Sequence, residues 1–313
     1  MNIRDRKGLE AAATQALSCV ANHRRLVLIY AVVAGLLPLL TGLISFLLDS
    51  RIAQTGGLAG IGVRSTLSTV QTLLATTVSW LLPFWSMGYV YTTLRFSHGQ
   101  ETGAQSLLEG FRRFGPVLRL LLLKELLFAG LGVLCIYFGC FVMLLTPLAR
   151  PLQAFLLENT DLLLTGVLDE AAMAGMVEAM VPMLIGCGVL FAAVAIPLFY
   201  RLRLADYYLL DVPGCRARQA MALSRKALRR KCMALLRLDF HFWWFYLAEG
   251  VIAVIGYGDV LAGLLGLPLT GSGVYFGVSL LALAARLALY WFCRNRVAVT
   301  YVKFYQALVT PDL

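Results

Sequence analysis

Charge is what this chain of 313 residues lacks most. Asp, Glu, Lys and Arg together make up 14% of it, against about a quarter of a soluble globular domain. Acids are the scarcer sign, 17 Asp and Glu against 27 Lys and Arg, and there are three histidines. The seven cysteines form no CxxC pair and no zinc-finger spacing. Cys135, Cys140 and Cys187 lie inside apolar runs, where Cys behaves as a small hydrophobe. Most of the others fall on the side read below as reducing, which argues against a disulfide framework. Missing too are HExxH, GxxxxGK[ST], GxGxxG after a strand and a GxSxG elbow. The longest polar stretch, residues 201–239, is a helix-sized basic loop, too short for a soluble catalytic core. The expectation is a protein that is not an enzyme, with no catalytic residues, no metal ligands and no cofactor.

What is present is hydrocarbon: 60% of residues are hydrophobic and the mean hydropathy is +0.78. A bilayer core of about 30 Å takes about 20 helical residues to cross. Six stretches qualify, at residues 26–48, 66–94, 126–148, 181–200, 240–260 and 274–293. They are apolar all round instead of alternating, which predicts helices. The first begins at Leu26, exceeds the hydrophobic region of a removed signal and has no small-residue cleavage site, so it reads as a retained span. Pro38, Pro83, Pro182 and Pro197 sit within or at the edges of spans, where each is expected to bend its helix.

Orientation follows from the basic residues on alternate sides of these spans. Residues 1–25, 95–125, 201–239 and 294–313 hold 23 Lys and Arg, whereas 49–65, 149–180 and 261–273 hold three. The positive-inside rule then places both termini and the basic loops on the cytoplasmic side. Loop 149–180 is the mirror image, with Glu158, Asp161, Asp169, Glu170 and Glu178 against Arg150. Glu158, Asp161, Thr165 and Asp169 would share one helix face, the ordinary pattern of a solvated face more than of a cation site.

Three basic segments share the pattern A-x-S-x5-R-[RK]: Ser18 with Arg24, Ser106 with Arg112, and Ser224 with Arg230. Each precedes a rising span, which suggests three helix-hairpin units, residues 1–94, 95–200 and 201–313. The competing reading is coincidence among Arg-rich membrane flanks. In the third segment Arg225, Lys226, Arg229, Arg230 and Lys231 alternate with Ala, Leu and Met. Such a helix is expected to lie apolar side down in the headgroup plane, each cation worth about 1 kcal/mol near an anionic leaflet. Nucleic acid is the weaker reading of this run, because spans flank it within a few residues.

Polar residues within the spans are few and specific. Ser65, Thr72, Ser79, Ser86 and Thr93 recur every seven residues along the second span, a stripe that keeps one face toward a neighbour. It reads either as close packing with hydroxyls bonded across or back to carbonyls, or as a hydroxyl-lined solute path, the former favoured. Glu249 and Arg286 are the deepest charges, both roughly 10–15 Å from the inner boundary at 1.5 Å per residue. A lone charge there costs about 2.5–3.5 kcal/mol, so an ion pair Glu249–Arg286 is expected. Asp239 and His241 mark the inner end of the fifth span, with Trp243, Trp244 and Tyr246 as an interfacial anchor.

Short motifs running from about residue 85 to 310 carry a resemblance. They are Tyr91-x3-Arg95-x3-Gly99, Leu108-x-Gly110-Phe111-Arg112-Arg113-Phe114, Pro197 with Asp206-Tyr207-Tyr208-Leu209-Leu210-Asp211-x-Pro213, Ala220-x3-Ser224-Arg225-Lys226, Leu238-Asp239-Phe240-x2-Trp243, and Phe304-Tyr305-x2-Leu308. In these the chain resembles the bacterial integral-membrane proteins grouped as domain of unknown function 975. More distantly it is similar to the membrane portion of some glycerophosphodiester phosphodiesterases. The resemblance implies a bacterial inner-membrane location and supplies no activity. That family usually has a glycine just after the Ser-Arg/Lys pair, where this chain has Arg229-Arg230, so an unbroken helix is expected here.

The overall expectation is an all-α membrane protein of six transmembrane helices with basic amphipathic cytoplasmic helices. Its expected role is a non-catalytic scaffold or accessory protein, partnered by anionic inner-leaflet lipid or by another protein. The alternative is a small transporter or channel using the stripe of the second span, and, more remotely, a lipid-modifying enzyme built on Asp206, Asp211, Asp239 and His241.

Overall fold

A computed structural model describes residues 6–19, 23–54, 59–159, 170–256 and 272–309. Among the described residues the chain is helical and contains no strand. The helices are α1 (Arg6–Cys19), α2 (His23–Gln54), α3 (Ala59–Ser97), α4 (Glu109–Arg112, after a 3-10 turn at Ala104–Leu108), α5 (Phe114–Leu144) and α6 (Arg150–Glu158). They continue as α7 (Glu170–Leu202), α8 (Ala205–Asp211), α9 (Ala217–Leu228), α10 (Cys232–His241), α11 (Trp243–Gly256), α12 (Ser272–Leu289) and α13 (Asn295–Val309). One π-turn, Tyr290–Arg294, joins α12 to α13.

Five helical stretches are long and apolar enough to cross a membrane: Arg24–Ile44, Ser65–Ser97, Phe114–Val142, Ala174–Asp211 and Gly277–Val309. A sixth is reached if α10 and α11, which meet at a 63° bend, count as one span. The fifth span, expected to run straight from Phe240, is therefore broken at Phe242. The Phe242 amide bonds to the Leu238 and Asp239 carbonyls, and its ring is buried at the corner. The sixth does not end at Cys293 but runs on to Val309, because α13 buries Val297, Val299, Tyr301, Val302, Phe304 and Tyr305. The expected loop 261–273 and the end of the span 240–260 lie largely outside the described residues, as do Asp161, Thr165 and Asp169.

The chain divides into two compact units: residues 1–120 with 204–313, and residues 121–203. In the second, α6 and α7 pack together, and Phe155 lies against Gly175, where a Cβ would stand 3.1 Å from its ring. Gly139 of α5 admits Cys187 of α7 in the same way, at 2.9 Å from the sulfur. Cys140 and Cys187 are free thiols with their sulfurs 4.0 Å apart, far beyond a disulfide's bond length. Leu134, Tyr137, Phe138, Phe141, Ile185 and Val189 are exposed. Apolar surface on that scale suits hydrocarbon surroundings.

In the first unit the buried side chains gather at one end of the long helices. They include Leu26, Val27, Tyr30 and Ala31 at the start of α2, and Phe84, Met87, Tyr89, Leu94 and Phe96 at the end of α3. Those of α8 to α11 and α13 join them. This is the end that carries the Lys and Arg residues, and it is called the basic end below. Two glycines let backbones cross there. A Cβ on Gly88 would lie 1.7 Å from the Leu107 carbonyl oxygen, and one on Gly110 2.0 Å from that of Phe84. Gly99 (φ +74°) turns the chain out of α3 in the left-handed region that glycine tolerates without strain.

Candidate functional site

Polar chemistry in the first unit is concentrated in a belt of carboxylates held by tyrosines. Tyr290, in the π-turn, donates its hydroxyl to Glu249 Oε1 of α11. Tyr301 donates to Asp239 Oδ1 of α10, and Tyr246 donates to the Tyr301 oxygen at 2.9 Å. Tyr305 donates to Asp211 Oδ2 at 2.9 Å. Tyr301 and Tyr305 stand four residues apart, so one face of α13 meets two carboxylates from different helices. An O–H aimed at each carboxylate replaces water that burial has removed. Lys303 and Gln306 reach back to Ser97, 3.2 Å to its carbonyl and 2.9 Å to its hydroxyl, and so cap the end of α3.

The expected Glu249–Arg286 ion pair is not formed. Glu249 instead faces Arg294, whose guanidinium nitrogen is 3.9 Å from Oε2. Arg294 sits within a ring of aromatics, its guanidinium carbon 6.0 Å from the Tyr30 ring centre, 5.7 Å from Tyr89, 5.8 Å from Phe245 and 5.1 Å from Tyr290. Tyr30 and Tyr89 stack at 4.5 Å, and the Trp85 indole N–H donates to the Tyr30 carbonyl at 3.1 Å. The cation at Glu249 is thus Arg294 and not the expected Arg286. Arg294 had been counted as a flanking charge, yet the helix continues through it into the packed end.

Arg286 lies two turns back along α12, about 12 Å from Arg294 at 1.5 Å per residue. It lines a partly open cavity of about 400 Å³ between α2, α3, α11 and α12. The walls are mostly apolar, with Leu39, Val78, Leu82, Ile252 and Leu283 among them, and Thr41, Ser79 and Ser279 add hydroxyls. Arg286 Nε is buried with no hydrogen-bond partner among the described residues.

The stripe of the second span divides along its length. Ser65, Thr72 and Ser79 are exposed on α3, Ser86 is half-buried and Thr93 is buried. Thr72 donates to the Ser68 carbonyl at 2.9 Å, Ser79 to Thr76 at 2.7 Å and Thr93 to Tyr89 at 2.8 Å. Of the five, Ser79 alone reaches the cavity.

The third basic segment folds differently from its expectation. Ala217, Ala220, Met221, Ser224 and Leu228 of α9 are buried, with α8 packed alongside and α8 in turn against α3 within the unit. The apolar face is thus spent on protein, and Arg218, Arg225, Lys226, Arg229 and Arg230 point outward, with Lys231 half-buried. The expected unbroken helix stops at Leu228 and resumes at Cys232, the Lys231 amide closing a tight turn on the Leu228 carbonyl at 3.1 Å. The second motif also meets a helix break near its basic pair, Arg112 closing α4 before α5. In the first, Arg24 lies in the first turn of α2, and residues 20–22 lie outside the described residues. Ser106 bonds to the Thr92 hydroxyl at 2.9 Å and donates to the Gly103 carbonyl at 2.6 Å. The side chain of Ser18 lies outside the described residues.

Glu10 of α1 is a polar residue that sequence reasoning missed. Its carboxylate meets His241 Nε2 of α10 and, at 3.0 Å, Arg296 of α13. No hydroxyl or thiol bonds to His241 among the described residues. The Cys215 thiol, in the loop between α8 and α9, is pushed up by burial, away from the reactive thiolate. No group of three metal-binding side chains occurs among the described residues. Residues quoted for the resemblance converge at the basic end: Arg95 and Arg113 flank the Tyr91 ring at 5.6 and 5.2 Å, and Arg113 also donates to the Leu210 carbonyl at 3.1 Å. No family model matches the chain, and neither a curated protein nor a solved structure matches it.

Proposed function

We propose that this protein is a multi-pass membrane protein whose basic end is held against an anionic leaflet, where it acts as a non-catalytic scaffold or accessory protein. The observation that carries the reading is the mounting of α9, with its apolar face buried in protein and Arg218, Arg225, Lys226, Arg229 and Arg230 turned outward. Three cations on this packed helix and two in the turn that follows it have their backbone already ordered when they meet phosphate-bearing headgroups. At about 1 kcal/mol each near an anionic surface, their sum is enough to register the protein against the membrane. By the positive-inside rule this end, with both termini, faces the cytoplasm of a bacterial inner membrane. The relationship to the domain of unknown function 975 family and the threefold hairpin repeat belong to the same proposal. Helix breaks beside the second and third basic pairs support the repeat.

The test is native mass spectrometry of the full chain released from nanodiscs with and without phosphatidylglycerol. Wild type should retain anionic lipid preferentially, and a variant with Arg225, Lys226, Arg229 and Arg230 all changed to Gln should not. Equal retention by the two would overturn the reading. A transporter is the second reading, favoured by the cavity that Ser79 and Arg286 share. The enzyme reading has the Glu10–His241 contact behind it, but Arg296 already occupies that carboxylate and no nucleophile bonds to the histidine among the described residues.

A further inference from the structure

The cavity beside α3 has a charge that no carboxylate answers among the described residues of its lining. Within the lining, Arg286 is the one charged side chain among the described residues. Glu249, the carboxylate at comparable depth, is already engaged by Tyr290 and Arg294. Thr41 donates its hydroxyl to the Leu37 carbonyl at 2.9 Å, and Ser79 donates to Thr76. Those two hydroxyl protons are thus spent on the backbones of their own helices, which leaves the Ser279 hydroxyl and Arg286 as the donors facing the space, Arg286 being the charged one. A polar ligand held there must be an acceptor, and the charge favours an oxyanion.

The rest of the wall selects what is attached to that oxyanion. Ser279, Ala282, Leu283 and Arg286 recur at helical spacing on α12, so Arg286 sits at one end of a lining strip about 10 Å long. Val78 and Leu82 of α3, Ile252 of α11 and Leu39 of α2 supply hydrocarbon along the remainder. About one turn beyond Arg286 on the same helices come Glu249 and Tyr290, and with them the Tyr30–Tyr89 stack. A volume of about 400 Å³ is within the range of ligand sites.

We propose that this cavity binds an anionic amphiphile, its carboxylate or phosphate on Arg286 and its hydrocarbon along α3, α11 and α12. The inference is independent of the collar formed by α9, which lies at the other end of these helices' packed core.

The experiment uses the purified full chain in a nonionic detergent, with oleate, methyl oleate and inorganic phosphate as probes. Equilibrium dialysis and thermal shift are the readouts. Oleate should bind saturably, and Arg286→Gln should weaken it on the order of tenfold to a hundredfold, the range of a lost charge-assisted hydrogen bond. Arg286→Lys should fall between. Methyl oleate, which has no charge, should bind weakly and without regard to Arg286. Ser279→Leu narrows the apolar part while leaving the cation in place, and should lower oleate affinity even if Arg286→Gln does not fold. Oleate affinity unchanged in Arg286→Gln, or in Ser279→Leu, overturns the proposal. So does methyl oleate matching oleate, which removes the charge from the account, or phosphate alone matching oleate, which removes the chain. The four-Gln variant of α9 should bind oleate like wild type, so failure of the collar and failure of the cavity are read separately.

Discussion

The two ends of the long helices in the first unit are built on different principles. At the basic end of α3, Phe84, Met87, Tyr89, Leu94 and Phe96 are buried, and Gly88 and Gly110 bring backbones into contact. Farther along the same helix Val70, Leu73, Trp80 and Leu81 are exposed, with a partly open cavity alongside. The difference teaches where specificity has to be written. Lipid is as apolar as leucine, so the far halves need no partner to satisfy their hydrocarbon. At the basic end the chain must bury carboxylates and cations together, and every one of those groups needs a placed counterpart.

The sharpest way to break this contrast is at the backbone crossing. Gly88→Ala places a methyl 1.7 Å from the Leu107 carbonyl, and is expected to abolish monodisperse folded protein on size exclusion. Gly250→Ala, which meets nothing within 4 Å, should leave the profile unchanged. Next in size is the charge of Glu249. Glu249→Gln strands Arg294 among its rings and should cost about 3–5 kcal/mol, read as a large fall in thermal midpoint. A swap of Glu249 with Arg294 should recover part of that loss, whereas a swap of Glu249 with Arg286 should recover none. Recovery by the Arg286 swap instead would show that the pairing is by depth and not by the π-turn.

Smaller effects test the tyrosine belt. Tyr305→Phe leaves Asp211 without its hydroxyl donor and should cost about 1–3 kcal/mol, as should Tyr301→Phe at Asp239. Smallest of all is the exposed half of the stripe. Thr72→Val removes a hydroxyl that donates within its own helix, and should change stability by no more than about 0.5 kcal/mol. A large loss there would show that the far half is packed against something, and would erase the contrast.

The long apolar stretches were legible because hydrocarbon content is a sum over residues and needs no knowledge of neighbours. The amphipathic character of 217–228 was legible for the same reason, being a property of one helix. What its apolar face meets was not, since lipid and protein satisfy that face equally well in a pattern. The partner of Glu249 was missed because the helix was ended at Cys293. Tyr290 and Arg294 enter the site only when the π-turn carries the helix onward. Glu10 gave no signal at all, because it belongs to a helix more than two hundred residues away from His241 and Arg296.

By itself, then, the amino-acid sequence determined that the chain is helical and apolar in long runs, and that its cations gather on alternate segments. Those are one-dimensional quantities, set by composition and period. Tertiary structure alone decided that α10 and α11 bend at Phe242, that α9 spends its apolar face on protein, and that Arg294 answers Glu249 while Arg286 faces a cavity. The reason is physical: a carboxylate in low dielectric is answered by the cation that the backbone path brings within a few ångströms, here Arg294 carried by the π-turn, while Arg286 two turns back stays on the cavity wall.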